Sequence, residues 1–464
     1  MNRPNPLPQA ALARLGTAVG LGVAYSLFAY LLTPSVVNGD GVGYLKATLS
    51  GARYPGHLLL LPLFEVVKQL VHAATPATLL PSLRMLCLVS GGLAVAIVVA
   101  ILWPRGWRVA LVGAGGLAAS YSVLISTSDL ESYAPALVPV CLFLWALDRQ
   151  RPFLAALCAA LASLLHVENV LLALPLLALA GPWRRRLASL ALFGGIVGAA
   201  YLVALQQGGL GWLRQMHHGF AYPLSWRIAP ATLHGLGKAL VYAPYPYEAP
   251  LPVVIAQSLL GVAALGALLA RRFAVPREEQ RWLVAWLVPY ALLGATYFPS
   301  DHERWIFLLP LLWVVVARSE RRRDPGIVAA IALANLILWL PVAKDRRALD
   351  RAEQTATRLQ AGDLVIGPGH GWDEQLAMVA PSVEVLPLVY YAGIADLPRT
   401  IAERRAKARR TILVRLDGSD DDPRGWKELL PFGLDRVTIG KLLPGRRTRL
   451  APGVELLEDE GERK

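Results

Sequence analysis

Four polar clusters interrupt an otherwise apolar chain, and each carries residues that can move a proton or hold an anion. The first lies in VVNGDGVGYLKATLSGARYPGH, residues 36–57, where Asp40 sits between two glycines and is followed by Lys46, Arg53 and His57. The second is Ser128-Asp129-Leu130-Glu131-Ser132-Tyr133, the third His166 with Glu168, and the fourth Asp301-His302-Glu303-Arg304. A carboxylate can take the proton from a hydroxyl as that hydroxyl attacks. Arginine, lysine and histidine can bind a phosphate and stabilise it as it leaves, arginine in bidentate fashion. A phosphate leaving group is acidic already, so such a reaction needs a base and cations but no general acid. Asp40, on flexible glycine-flanked backbone with cations nearby, is where the chemistry is expected.

The elements that must position these groups are membrane helices. Hydrophobic residues make up 55% of the 464 and charged residues only 17%, against about 25% charged in a soluble domain. Runs near the roughly 20 residues needed to cross the hydrocarbon recur along the chain. Eleven spans are expected, at 14–33, 83–102, 109–126, 133–147, 153–166, 168–181, 187–206, 251–270, 283–298, 305–317 and 326–342. With the N-terminus in the cytoplasm, each inner segment is basic, among them Arg184–Arg186 and Arg321–Arg323. That is the positive-inside pattern. It explains the net charge of +13 without nucleic acid.

One run forces a choice. Residues 152–182 are apolar but for His166, Glu168 and Asn169 near the middle. Ionisable groups at the bilayer centre are costly, so two short spans with the HVEN turn between them are expected. All four clusters then face the outer side. Glu65, Lys68, Gln69 and His72 at helical spacing mark 56–81 as an amphipathic helix on the outer surface, and 210–220 reads the same way. The three cysteines, Cys87, Cys141 and Cys158, lie inside apolar runs with no disulfide or zinc spacing.

Beyond residue 343 the pattern changes to short β-rich runs, DLVIG (363–367), VEVLPLV (383–389) and TILVRLDG (411–418), separated by helical stretches. A small α/β domain over 344–464 is expected outside the membrane. The fold class is therefore an all-α polytopic membrane protein of about eleven transmembrane helices over 1–343, with outer-face loops 34–82 and 207–250, carrying that C-terminal domain. Gly367-Pro-Gly369-His-Gly371 does not spell a nucleotide loop and reads as a turn.

The segments NGDGVGYL, YPGHLLLLPLF, DLESYAPAL and DHERWIFLLPLLW together resemble the GT-C superfamily of integral membrane glycosyltransferases, in its protein O-mannosyltransferase and aminoarabinose-transferase-like branch. The YPGH segment is similar to that branch's HPPGYP-type segment with the order altered. The resemblance covers roughly 14–342. It implies a polyprenyl-phosphate-linked sugar as donor, transferred with inversion outside the cytoplasmic membrane to a lipid, glycan or protein acceptor. It implies Asp40 as base, Glu131 or Asp129 at the acceptor, and Arg304 with His302 at the donor phosphate. Glu303, Lys46, Arg53, His57, His166 and Glu168 are further substrate contacts. No cofactor is assigned; the single acid in the first loop, in place of the adjacent pair of some members, leaves a divalent metal open. A transporter or flippase, a non-catalytic assembly protein for envelope polysaccharide, and a polymerase or ligase using lipid-linked oligosaccharide are the competing readings.

Overall fold

The structure is a computed structural model of the whole chain. It describes residues 7–37, 39–51, 56–179, 181–208, 228–244, 250–271, 277–296, 301–318, 325–369, 372–388, 396–414, 434, 436–451 and 454–458. Arg53, the expected amphipathic stretch 210–220 and the aromatic residues Tyr222, Trp226, Tyr245 and Tyr247 lie outside the described residues.

In chain order the first helices are α1 (Leu7–Leu31), α2 (Gly39–Ser50), α3 (Leu60–Leu70), α4 (Pro76–Leu102), α5 (Trp107–Ala119), α6 (Tyr121–Ser128), α7 (Tyr133–Asp148) and α8 (Pro152–Leu165). They are followed by α9 (Ala173–Leu177), α10 (Trp183–Gly208), α11 (Ile228–Leu240), α12 (Leu251–Arg271), α13 (Arg277–Thr296), α14 (Leu309–Arg318) and α15 (Pro325–Ala343). Each expected span coincides with a helix or a pair of them. By length and apolarity, however, only four described helices can cross a bilayer unaided, within 12–31, 76–105, 183–206 and 325–356, with the bent pair α5–α6 as a fifth. Several of the others are short. The 14 residues of α8 rise only about 21 Å, against roughly 30 Å of hydrocarbon.

The chain forms two compact units, one of residues 1–33, 53–71 and 81–342, the other of 34–52, 72–80 and 343–464. The expected outer loop 34–82 is thus divided between them.

In the first unit, polar side chains tie apolar helices together. Asn335 of α15 is buried and donates to Ala119 O (2.7 Å) and Leu240 O (2.8 Å), while its own carbonyl accepts from the Tyr242 N–H (2.7 Å). The expected straight span 109–126 is instead bent by 63° at Ser120. Ser120 leaves the helical conformation, donates to Gly116 O and accepts from Trp313 Nε1, both at 2.8 Å. An indole donor supplied by α14 thus stabilises a break that apolar periodicity does not announce. The crossing of α11 with α12 relies on glycine: a Cβ on Gly237 would lie 2.0 Å from Gln257 O, and one on Gly261 as close to Leu233 O. Small residues allow such approach where lipid supplies no hydrophobic drive. The break at HVEN is where expected, with α8 ending at Leu165 and a 3-10 stretch Val167–Leu172 leading into α9.

The second unit is built on a five-stranded sheet, β1 (Leu364–Gly367), β2 (Glu384–Pro387), β3 (Thr411–Val414), β4 (Arg446–Ala451) and β5 (Val454–Glu458), in the order β2-β1-β3-β5-β4. β1 pairs in parallel with β2 and β3, and the β4–β5 hairpin adds antiparallel to β3. Helices α16 (Arg347–Ala356), α17 (Trp372–Val379), α18 (Leu397–Arg405) and α19 (Arg436–Leu442) accompany the sheet. Leu364, Ile366, Leu386 and Leu413 pack with Ile401 of α18 and Ile439 of α19. The Gly367–Gly369 turn closes with the Gly369 N–H on Asp373 Oδ2 at 2.9 Å, a capping turn at the start of α17.

This unit also holds α2. The segment expected as a flexible glycine loop is helical from Gly39 onward, because Val42, Tyr44, Leu45 and Thr48 share a buried face. Ser35 N–H donates to Ala343 O (2.7 Å), and Gln375 Nε2 of α17 to Val37 O (2.7 Å).

Candidate functional site

Arg304 is the centre of the first unit's polar cluster. It sits in the 3-10 stretch His302–Leu308, which Asp301 caps by accepting the Glu303 N–H (3.1 Å). Its guanidinium pairs with Glu168, donates to Tyr133 OH (3.0 Å) and places Nε 3.3 Å from Asp301 Oδ2. Three of the four expected clusters therefore meet here: the stretch opening α7, the HVEN break and the DHER turn. Each reaches the centre for a local reason. Tyr133 is the first residue of α7, Glu168 is carried by the 3-10 turn after α8, and Ser122 of the bent segment α6 donates to His302 O (2.9 Å).

Around this centre aromatic rings pack edge-on or tilted. His166 lies 4.5 Å from Tyr133 and 4.9 Å from His57, centroid to centroid. His57 Nδ1 donates to Leu165 O (2.9 Å), and Tyr290 OH donates to Asn169 Oδ1 (2.8 Å). His166 Nδ1 and Glu168 Oε2 are buried and have no hydrogen-bond partner among the described residues. Polar atoms left so are costly unless a ligand meets them.

The charges are mutually arranged. Burial works to raise the Asp301 carboxyl, but the His302 hydrogen bond, the Arg304 charge and the Glu303 N–H together hold it well below the usual carboxylate range. His302 is pushed down by burial, and the Lys238 and Arg304 charges add to this against the opposing bond to Asp301. Burial lowers His57 to about 4, the charge of Arg304 acting in the same direction. Both histidines are therefore neutral near pH 7.

Asp301, His302 and Glu303 offer donor atoms within 4.8 Å of one another, a spacing that can take a divalent cation. Asp301, however, already meets His302, the Glu303 N–H and Arg304. A metal there would compete with the guanidinium for the same oxygens.

Asp129 and Glu131 are both buried. Asp129 accepts from Arg84 of α4 (2.8 Å) and from the Leu130 N–H (2.8 Å), and the Glu131 carbonyl accepts from Cys87 Sγ (3.4 Å). The side chain of Glu303 is half-buried. Asp40 and Lys46 belong to the second unit. Asp40 is half-buried in the first turn of α2, where the helix dipole favours an anion, and the charges of Glu374 and Glu384 act on Lys46. Residues that the sequence reading passed over complete the picture: Arg84, Lys238 and Tyr290. Arg84 and Lys238 stand inside apolar stretches, LPSLRMLCLV and TLHGLGKAL. A cation in such a place requires a partner or a role.

No protein-family model matches the chain, and no curated protein matches its sequence. Its fold does match a solved structure, the archaeal oligosaccharyltransferase AglB from Archaeoglobus fulgidus in complex with an inhibitory peptide and a dolichol-phosphate. The TM-score is 0.50 and the identity 11%, over 89% of this chain and 71% of that one. The chain shares its overall fold with that structure. The likeness extends over both units of this chain, and at that identity it concerns architecture alone.

Proposed function

We propose that this protein transfers a sugar from a polyprenyl-phosphate-linked donor to an acceptor hydroxyl at the outer face of the cytoplasmic membrane. The acceptor oxygen attacks the anomeric carbon as Asp40 takes its proton. The carbon–oxygen bond to the lipid phosphate breaks, and the phosphate leaves with the bonding pair. A single displacement of this kind inverts the anomeric centre.

The observation that supports the reading is the convergence of three polar segments on the half-buried Arg304, in a chain that shares the fold of an oligosaccharyltransferase. A guanidinium held by Glu168, Asp301 and Tyr133 is pre-positioned for a phosphate that gains charge as it departs, the situation in which fixed cations accelerate most. His302 and Glu303 flank that cation, and Lys238 contributes a second positive charge to His302. Asp129, engaged by Arg84, is assigned to holding the loop, which leaves Glu131 as the acid for placing the acceptor. The N-terminus is cytoplasmic and residues 344–464 are extracytoplasmic in this reading.

The test is transfer of radiolabelled sugar from a polyprenyl-phosphate donor in purified membranes, comparing wild type with Asp40→Asn at matched expression. Near-complete loss is expected. Wild-type transfer by the variant removes Asp40 as the base and the proposal with it.

A further inference from the structure

We propose that the arginines gathered at the end of α7 remote from Tyr133 bind the headgroup of an anionic phospholipid. The inference needs only a chain embedded in lipid and is independent of the transfer reaction. Over its 16 residues α7 rises about 24 Å, from Tyr133 at the Arg304 cluster to Asp148. The two ends differ in charge balance. At the first, Glu168 and Asp301 hold a single guanidinium. At the second, Arg105 and Arg318 reach the same carboxylate oxygen, Asp148 Oδ1, from segments far apart in the chain. The stretches 103–108, 145–153 and 313–318 that meet there set Arg105, Arg108, Arg149, Arg151 and Arg318 against Asp148 alone.

Two tight turns fix the backbone of this cluster. Gly106, at φ 112°, and Gln150, at φ 51°, each reverse the chain. The Gly106 N–H donates to Trp103 O and the Arg151 N–H to Ala146 O, both at 2.9 Å. Helices α5 and α8 begin here while α7 and α14 end here, so opposed helix dipoles offset one another and the arginines set the charge. Arg105 is held loosely. Its side chain is 39% exposed, and its contacts with Ile101 O and Asp148 Oδ1 are both 3.4 Å. Most of its N–H donors are therefore available to a ligand. Arg108, Arg149 and Arg151, each within three residues of Arg105 or Asp148, are exposed.

The apolar flank identifies the occupant. Trp107 and Leu111 on α5, and Phe153 and Leu157 on α8, are exposed. Each pair is one helical turn apart and forms a stripe running from the arginines along its helix. The guanidinium of Arg108 lies over the Trp107 ring at 5.4 Å and that of Arg151 over Trp145 at 5.9 Å, which holds both cations beside aromatic surface. Tryptophans next to cations mark the boundary between lipid and water, and basic pockets between membrane helices take anionic headgroups. A phosphodiester meets guanidinium through paired N–H···O bonds, while the acyl chains lie along the stripes. A free phosphate ion gains nothing from those stripes. A zwitterionic lipid brings a cation that the arginines repel. In the orientation proposed above this end of the bundle is cytoplasmic.

The test uses purified full-length protein in detergent, offered equal amounts of phosphatidylglycerol and phosphatidylcholine with matched chains. Bound lipid is counted by native mass spectrometry. Phosphatidylglycerol should be retained about tenfold over phosphatidylcholine, equivalent to roughly 1.4 kcal/mol. Arg105→Gln should abolish that preference. Arg149→Gln combined with Arg151→Gln, both at exposed positions, gives the same reading should Arg105→Gln fail to fold. Arg184→Gln combined with Arg185→Gln removes two exposed arginines from the start of α10 and should leave the preference intact. Equal retention of the two lipids would overturn the inference. So would an undiminished preference in the Arg105 and Arg149/Arg151 variants, an equal loss in the Arg184/Arg185 variant, or displacement of phosphatidylglycerol by excess inorganic phosphate. A protein that keeps the preference but transfers no sugar sinks the proposed function and spares this site. Transfer without the preference does the reverse.

Discussion

Arg304 and Asp40 stand in contrasting surroundings. Arg304, its side chain 14% exposed, is held by three partners drawn from three separate segments, so its charge is compensated before any substrate arrives. Asp40 is half-buried at the start of a short helix whose other face packs within the second unit. A group fixed by opposite charges is suited to hold a leaving anion without reorganising. A carboxylate at a helix N-terminus, still reached by water, is suited to accept and release a proton. The first arrangement makes function inseparable from stability; the second allows the two to be separated.

The sharpest way to break that contrast is to remove each charge and measure both properties. Asp40→Asn should lower transfer by about 10²–10⁴-fold, the usual range for a positioned acid or base, with the thermal midpoint in detergent unchanged. A parallel fall in the midpoint would make Asp40 a structural residue and abolish the distinction. Arg304→Gln should lose both properties, because it leaves the buried Glu168 carboxylate without its partner, at about 3–5 kcal/mol. Adding Glu168→Gln to Arg304→Gln should recover most of the midpoint and none of the transfer. Recovery of transfer would show that the guanidinium does not meet the phosphate.

What the sequence exposes and what it hides follow the same division. The HVEN break was legible because the cost of ionisable groups in hydrocarbon is local to the residues themselves. The strands near 364, 384 and 411 were legible from their β-rich runs. Arg84 with Asp129 and Arg304 with Glu168 were not, because the partners lie 45 and 136 positions apart and only packing brings them together. The bend at Ser120 depends on an indole 193 positions away. Asp40 was expected on a flexible glycine loop and lies instead in the first turn of a helix. Glycines read as loop formers were overridden by the buried face of Val42, Tyr44, Leu45 and Thr48.

A pH experiment sharpens the Arg304 side of the comparison. His57 titrates near 6.5 when unfolded and at about 4 in the folded protein, because it is buried and lies in the field of Arg304. Between those values the unfolded chain binds a proton that the folded chain does not. Stability is therefore fully present above pH 6.5 and declines as pH falls towards 4, by up to about 3 kcal/mol in total. His57→Asn keeps an amide donor for Leu165 O and removes the titration, so its midpoint should fall less steeply over that window. An identical slope in the variant would locate the acid sensitivity elsewhere.

The smallest effect tests how the second unit holds its acid. Gln375 of α17 is buried and donates to the carbonyl of Val37, three residues before Asp40. Gln375→Leu keeps most of the volume but leaves that carbonyl unsatisfied, at about 1–3 kcal/mol. If the cost falls on the position of α2, kcat should drop about tenfold with KM for the lipid donor unchanged. A merely structural role would lower the amount of folded enzyme and leave the kcat of each surviving molecule intact. A double-mutant cycle separates the two readings. Residues acting through one another are non-additive, so in the Asp40→Asn background Gln375→Leu should cost nothing further in the residual rate. Full additivity would mean that Gln375 does not act through Asp40, and that α17 serves the C-terminal sheet alone.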